Sequence, residues 1–245
     1  MSKPQQVAIS RVVSIALPVA LQSLLMSTLS LVDQLMVGQI GSTAVASVGI
    51  GAQVTMLVSV VVTALSTAVG AFTAQFAATD QIGQVRGALR YASFVAMCIA
   101  APVVTVGAIA PALLVRPFTA DPHLEVTGAP YLRLVALWVL PTAVILVCTA
   151  IMRSMGKTKL PLQAAAAAIF VNLFLDWVLI FGNLGAPRLG LVGAGVGSLV
   201  ARLLECICIL IATMRLLGTK GWGERLPAAM RRKIRDAALP LVLTE

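Results

Sequence analysis

The chain has 245 residues, 59% of them hydrophobic and 11% charged, with a net charge of +9 and a mean hydropathy of +0.98. This composition excludes a soluble globular domain and places the chain in a lipid bilayer. The positive charge does not indicate nucleic-acid binding, because the basic residues alternate with apolar spans and form no soluble basic face.

A helix needs about 20 apolar residues to cross a hydrocarbon core roughly 30 Å thick. Six segments meet this, near 12–37, 48–75, 91–115, 131–152, 160–182 and 190–214. No charged residue occurs from Gln34 to Thr79, from Tyr91 to Val115 or from Leu134 to Met152. The expected fold is therefore an all-α integral membrane protein, a six-helix transmembrane bundle over residues 1–214. A basic, Gly-containing linker over 215–236 separates it from a seventh apolar pattern over 237–245, which is cut off at Glu245.

The first span carries Pro18 and, near its outer end, Asp33. This run is too long for the apolar core of a cleavable signal peptide and is expected to act as its own insertion signal. Between the third and fourth spans, Arg116 to Pro130 reads as the one long outer loop. It holds the sole histidine, His123, with Asp121 and Glu125. One histidine and two flexible acids make a poor metal site, so the segment reads as solvated loop and no metal is expected. Pro102 and Pro141 read as packed kinks. Cys98, Cys148, Cys206 and Cys208 all fall in apolar spans without metal spacing and read as small core residues. Met26 and Met36 are candidates to line an apolar cavity.

The fifth span holds Asn172 and Asp176. A carboxylate at mid-bilayer depth costs roughly 2.5–3.5 kcal/mol on insertion scales, which marks it as a functional candidate. Residues four apart share one helix face, and an amide can serve both the charged and the protonated carboxyl. Asp33 either joins this site as a second carboxylate or merely closes the outer end of the first helix. In the sixth span, Gly190-Leu-Val-Gly-Ala-Gly-Val-Gly197 has no preceding strand and no following lysine. It reads as a small-residue packing face, not a phosphate loop. Arg202 and Glu205 are three apart and read as a structural ion pair, with gating as the sharper alternative.

Several segments together resemble the multidrug and toxic compound extrusion (MATE) family. They are Ala16-Leu-Pro-Val-Ala-Leu-Gln22, Val32-Asp-Gln-Leu-Met-Val-Gly-Gln-Ile-Gly41, Ala74-Gln-Phe76 with Val85-Arg86, Arg153-Ser-Met-Gly-Lys-Thr-Lys-Leu-Pro161, Asn172-Leu-Phe-Leu-Asp176 and Gly190-Leu-Val-Gly-Ala-Gly195. Members of that family usually have twelve helices in two six-helix lobes. By resemblance this chain is the N-terminal lobe plus the first turns of a seventh helix. Ile234-Arg-Asp-Ala-Ala-Leu-Pro240 indeed echoes Arg11-Val-Val-Ser-Ile-Ala-Leu-Pro18, as a second repeat would. The resemblance also implies a cation or proton site built from Asp33, Asn172, Asp176 and Ser198, with Pro18 as a bending hinge. A different loop length after the fifth helix puts Ala194 in place of Ser198.

The function so implied is secondary antiport. Organic, often cationic, drugs or toxins leave in exchange for H+ or Na+, with no cofactor beyond the coupling ion. The alternatives are a lipid or lipid-linked-precursor flippase of the same superfamily, or a non-transporting truncated half-transporter. An enzyme is not expected, because no nucleophile–base pair, metal motif or nucleotide motif is present. The expected partners are small organic substrates, the bilayer and a missing C-terminal lobe, with no nucleic acid.

Fourteen of the 18 Lys and Arg residues fall on the side of the N-terminus, three (Arg116, Arg133, Arg188) on the other, and Arg202 lies within a span. The positive-inside rule then sets the N-terminus in the cytoplasm, and the expected location is the inner (plasma) membrane. Reporter fusions at Ser42, Pro122 and Ala186 are expected to report outside, and those at Gln81, Lys157 and Gly221 inside. An outside signal at Lys157 overturns the six-helix arrangement.

Overall fold

The computed structural model describes residues 17, 20, 21, 23, 24, 27, 28, 31, 32, 34–119, 121–218 and 226–244, without the side chains of 123, 239 and 242–244. Pro18, Met26 and Asp33 lie outside the described residues. Helical backbone at 34–38 precedes α1 (Ser42–Ala78), α2 (Ile82–Ile109) and the one-turn α3 (Ala112–Val115). Then follow α4 (Pro122–Ser154), α5 (Lys159–Phe181), a 3-10 turn (Asn183–Gly185), α6 (Leu191–Leu217) and α7 (Ala228–Thr244). Among the described residues all regular structure is helical. Among the described residues five helices are long and apolar enough to cross a membrane: α1, α2, α4 over Leu124–Ser154, α5 and α6. They match the second to sixth expected spans.

The helix ends follow local chemistry. Pro111 ends the third span early: the residue before a proline is pushed out of the helical region, and Ala110 sits at φ −141°, ψ 69°. The segment read as an outer loop is helical from Pro122 onward. Proline suits a first helical position, where its missing N–H is not needed, and Glu125 in the first turn favours the positive end of the helix dipole. Glu125 also pairs with Arg116 at 3.3 Å. Helix α5 stops at Gly182, whose φ of 75° is the left-handed conformation that closes many helices. Helix α7 begins at Ala228, inside the stretch whose composition reads as linker.

Helix α4 is the hub. It packs on α1, α2 and α6, and 61% of its apolar span is buried against 22–39% for the other four. Val139, Ala143, Val147, Cys148 and Ile151 meet Val62, Val69, Ala92 and Ala96 in the largest core cluster. Two polar clasps tie α1 to α4: Thr73 and Ser154 hydroxyls lie 2.8 Å apart, and Trp138 Nε1 donates to Thr55 Oγ1 at 3.2 Å. The C-terminal end of α6 is held by Arg86, which donates through Nε (2.9 Å) and Nη2 to the Leu217 carbonyl. A cation on a helix's last carbonyls is favourable in charge as well as in hydrogen bonding.

Polarity runs opposite to that of a water-soluble bundle. Phe170, Phe174, Leu57 and Ile207 are exposed, whereas Asn172, Asp176, Glu205, Thr73 and Thr213 are buried. In lipid this arrangement is favourable, because acyl chains solvate the apolar exterior and polar groups find partners inside. The cysteines split the same way. Cys148 and Cys206 are buried as expected, but Cys98 and Cys208 are exposed. In a membrane helix an outward position is as apolar as a core position, so hydrophobicity alone does not separate the two.

Helices α5 and α6 touch backbone to backbone at Gly193. A Cβ added there lies 2.7 Å from the carbonyl carbon and oxygen of Leu179, and backbone cannot move aside as a side chain can. Gly193→Ala is expected to cost about 1–3 kcal/mol, the range for overpacking. The readout is a lower thermal midpoint of the detergent-solubilised chain. Gly49→Ala, where an added Cβ meets nothing within 4 Å among the described residues, is the control and leaves the midpoint unchanged.

Candidate functional site

The approach of α5 to α6 sets the geometry. Gly193 and Gly197, four apart, form a flat strip on α6 that α5 lies against, while Gly195 is turned towards Tyr131 and Leu134 of α4. The Asp176 carboxylate occupies the notch at Gly197, where an added Cβ overlaps its Oδ1. Asp176 is 1% exposed, and both its carboxylate oxygens are buried. One turn earlier on the same face, Asn172 is also 1% exposed and its Nδ2 donates to Ser198 Oγ at 3.4 Å. Asn172 Oδ1 is buried with no hydrogen-bond partner among the described residues.

Three of the residues singled out in the sequence are thus brought together: Asn172, Asp176 and Ser198. The alternative at the sixth-helix position, Ala194, packs in an apolar cluster with Val37, Ala44 and Ile180. The hydroxyl of Ser198, not the methyl of Ala194, meets the amide. Asp33 and Pro18 fall outside the described residues.

Above this group lies a cavity of about 350 Å³. Asn172 and Ser198 line it, as do Gln34, Thr55, Trp138 and the Arg202–Glu205 pair, among mostly apolar side chains. Asp176 lies one turn of α5 beyond Asn172. Met36 packs with the Val37 cluster and is absent from the cavity lining. Arg202 Nη1 donates to Glu205 Oε2 at 2.8 Å, as the three-residue spacing predicts. What the spacing did not show is that this pair faces the cavity. It also did not show that Gly197 makes room for the carboxylate; the Gly193/Gly197 repeat signalled close packing but not its partner.

A carboxylate, an amide oxygen and a hydroxyl are hard oxygen donors. Such a set suits a proton or a hard cation better than a soft transition metal.

A family model described as MatE matches residues 18–178, more than half of the chain. Among curated relatives, a probable multidrug resistance protein NorM of Bacillus anthracis is 26% identical over 203 residues, covering 83% of this chain and 44% of that protein. A protein of the same description from Bacillus subtilis (strain 168) is 27% identical over 202 residues, covering 82% and 44%. The chain therefore spans less than half the length of the curated relatives it matches. Among solved structures, the outward-facing conformation of a multidrug resistance MATE family transporter of the MOP superfamily superposes with a TM-score of 0.79 at 18% identity. That match covers 96% of this chain and 52% of the other. An inward-facing conformation gives 0.72 at 16% identity, covering 96% and 53%, and a MOP superfamily transporter from Pyrococcus furiosus gives 0.78 at 18%, covering 96% and 52%. Membrane-spanning helices, the family match and the shared fold agree: this chain belongs to the MatE family of multi-pass membrane transporters.

Proposed function

We propose that the chain forms one lobe of a secondary antiporter that exports organic compounds in exchange for protons or sodium. The observation that carries this reading is the enclosed Asn172–Asp176–Ser198 group directly beneath the cavity. A buried carboxylate in low dielectric is costly when charged and cheap when protonated, so its occupancy by a proton or cation changes the field in the cavity above it. Asn172 serves both states: its Nδ2 donates to an oxygen acceptor, and its Oδ1 accepts from a protonated acid. For a substrate whose positive end faces this group, substrate and coupling ion then bind at each other's expense, which antiport requires. Alternating access adds a second lobe for this one to rock against. In this reading residues 1–214 are that lobe, 215–236 the cytoplasmic linker and 237–245 the start of the next lobe. The N-terminus is cytoplasmic, as the basic asymmetry favours, and the membrane in this reading is the plasma membrane.

The test is efflux of a fluorescent substrate from everted vesicles containing the complete two-lobed transporter, with proton and sodium gradients imposed separately. Asp176→Asn is expected to abolish gradient-driven efflux at unchanged protein level, because an amide neither binds nor releases a proton and its burial is cheaper than a carboxylate's. Asn172→Ala is milder and shifts the pH optimum. Gly197→Ala pushes the carboxylate out of its notch and slows efflux roughly tenfold, about 1.4 kcal/mol of barrier. Gradient-driven efflux by Asp176→Asn at the wild-type rate rules out its coupling role.

A further inference from the structure

The Arg202–Glu205 pair sits at the middle of α6 (Leu191–Leu217), where an ion pair with no task is an expensive choice. Burying two charges costs several kcal/mol per ion after relaxation, and apolar replacements of such pairs are often neutral or stabilising. The two partners differ in position. The Glu205 side chain is fully enclosed, at 0% exposure, and its Oε1 has no hydrogen-bond partner among the described residues; the Arg202 side chain is 30% exposed. Both border the cavity, and among its described lining residues they are the only charged ones. Of the two, Arg202 is the partner with open surface, and it lines the cavity. A guanidinium has five N–H donors in a planar fork that matches an oxyanion. One of them is used by Glu205, which holds the fork in place.

We infer that Arg202 is the anchor for an oxyanion on the transported compound, so that the cavity selects amphipathic molecules bearing a carboxylate on an apolar body. This deepens the transport reading and rests on it. The rest of the lining suits the apolar body: Val37, Val48, Trp138 and Ile169. The opposite charge has a place too. Ser198, hydrogen-bonded to Asn172, is four residues before Arg202 on α6, about 6 Å along the axis, and Asp176 lies just beyond. A zwitterion whose cationic end points towards Asp176 competes there with the coupling ion while its carboxylate stays on Arg202. A compound that is only cationic meets the guanidinium as a repulsive wall.

Rhodamine 110 and rhodamine 123 separate these cases, because they differ only in a free carboxylate against its methyl ester. The 245-residue chain in lipid nanodiscs is titrated with each dye by fluorescence anisotropy, with empty nanodiscs subtracted. Rhodamine 110 is expected to bind at least about tenfold tighter, the size of one charge-assisted hydrogen-bonded contact. The double variant Arg202→Gln/Glu205→Gln removes both charges and leaves none orphaned; it is expected to erase the preference while still binding both dyes. Glu205→Gln alone leaves Arg202 as the single charge and keeps or increases the preference. Equal or tighter binding of rhodamine 123, or a preference that survives the double variant, overturns the anchor while leaving the cavity as a binding site. Saturable binding of neither dye overturns the anchor and the cavity's transport role together.

Discussion

The polar interior depends on one contact, the seating of α5 on the glycine strip of α6. Without a Cβ at Gly193, the α5 backbone around Leu179 comes within reach of the α6 backbone; without one at Gly197, the Asp176 carboxylate has space to be enclosed. Side chains at either position hold the helices apart and open the acid to lipid, where an ionised carboxylate is untenable. The same approach places Ser198 within hydrogen-bond distance of Asn172. Membrane helices gain little from hydrophobic exclusion, since lipid tails are as apolar as leucine; close packing between small residues takes over that role.

The sequence makes this lobe legible to an unusual extent, for a physical reason. A bilayer demands long apolar runs and penalises every charge within them, so the spans and the exceptional residues stand out together. Asn172 and Asp176 are visible as a pair because a four-residue spacing fixes a common face whatever surrounds the helix. The fold and family were legible for the same reason, through motifs placed in order along the spans. Facing is much less legible. Cys98 and Cys208 lie in runs as apolar as those of Cys148 and Cys206, yet point outward. Boundaries outside the membrane are also harder: Pro122 opens a helix within a segment whose polarity reads as loop, and α7 begins nine residues before the apolar pattern does, at Ala228. The cavity itself has no one-dimensional signature. It is assembled from residues as distant as Gln34 and Glu205, and only the packing of the helical stretch before α1 with α1, α4, α5 and α6 brings them together.

Charge is distributed unevenly within the lobe in a way that hydropathy averages conceal. Away from their ends, where Lys159 and Arg215 stand, α5 and α6 carry two acids and one base: Asp176 in the notch at Gly197, and Glu205 paired with Arg202. Both acids are enclosed, and of the three only the base is substantially exposed. An interior arranged in this way presents a different face to a ligand than its residue composition suggests, because what a ligand meets is the exposed end of each pair.

The clamp at the end of α6 has a mechanical consequence. Arg86 grips the Leu217 carbonyl by two donors, and Gly87 lies so close to Leu226 that an added Cβ comes within 3.2 Å of its backbone nitrogen. The second turn of α2 therefore touches the chain on both sides of the stretch leading from α6 to α7. Helix α7 in turn rests on α1, whose end joins α2 across a short turn. Helix α7 is therefore packed directly on the α1–α2 hairpin, and is not joined to the rest of the bundle only through the chain between α6 and α7.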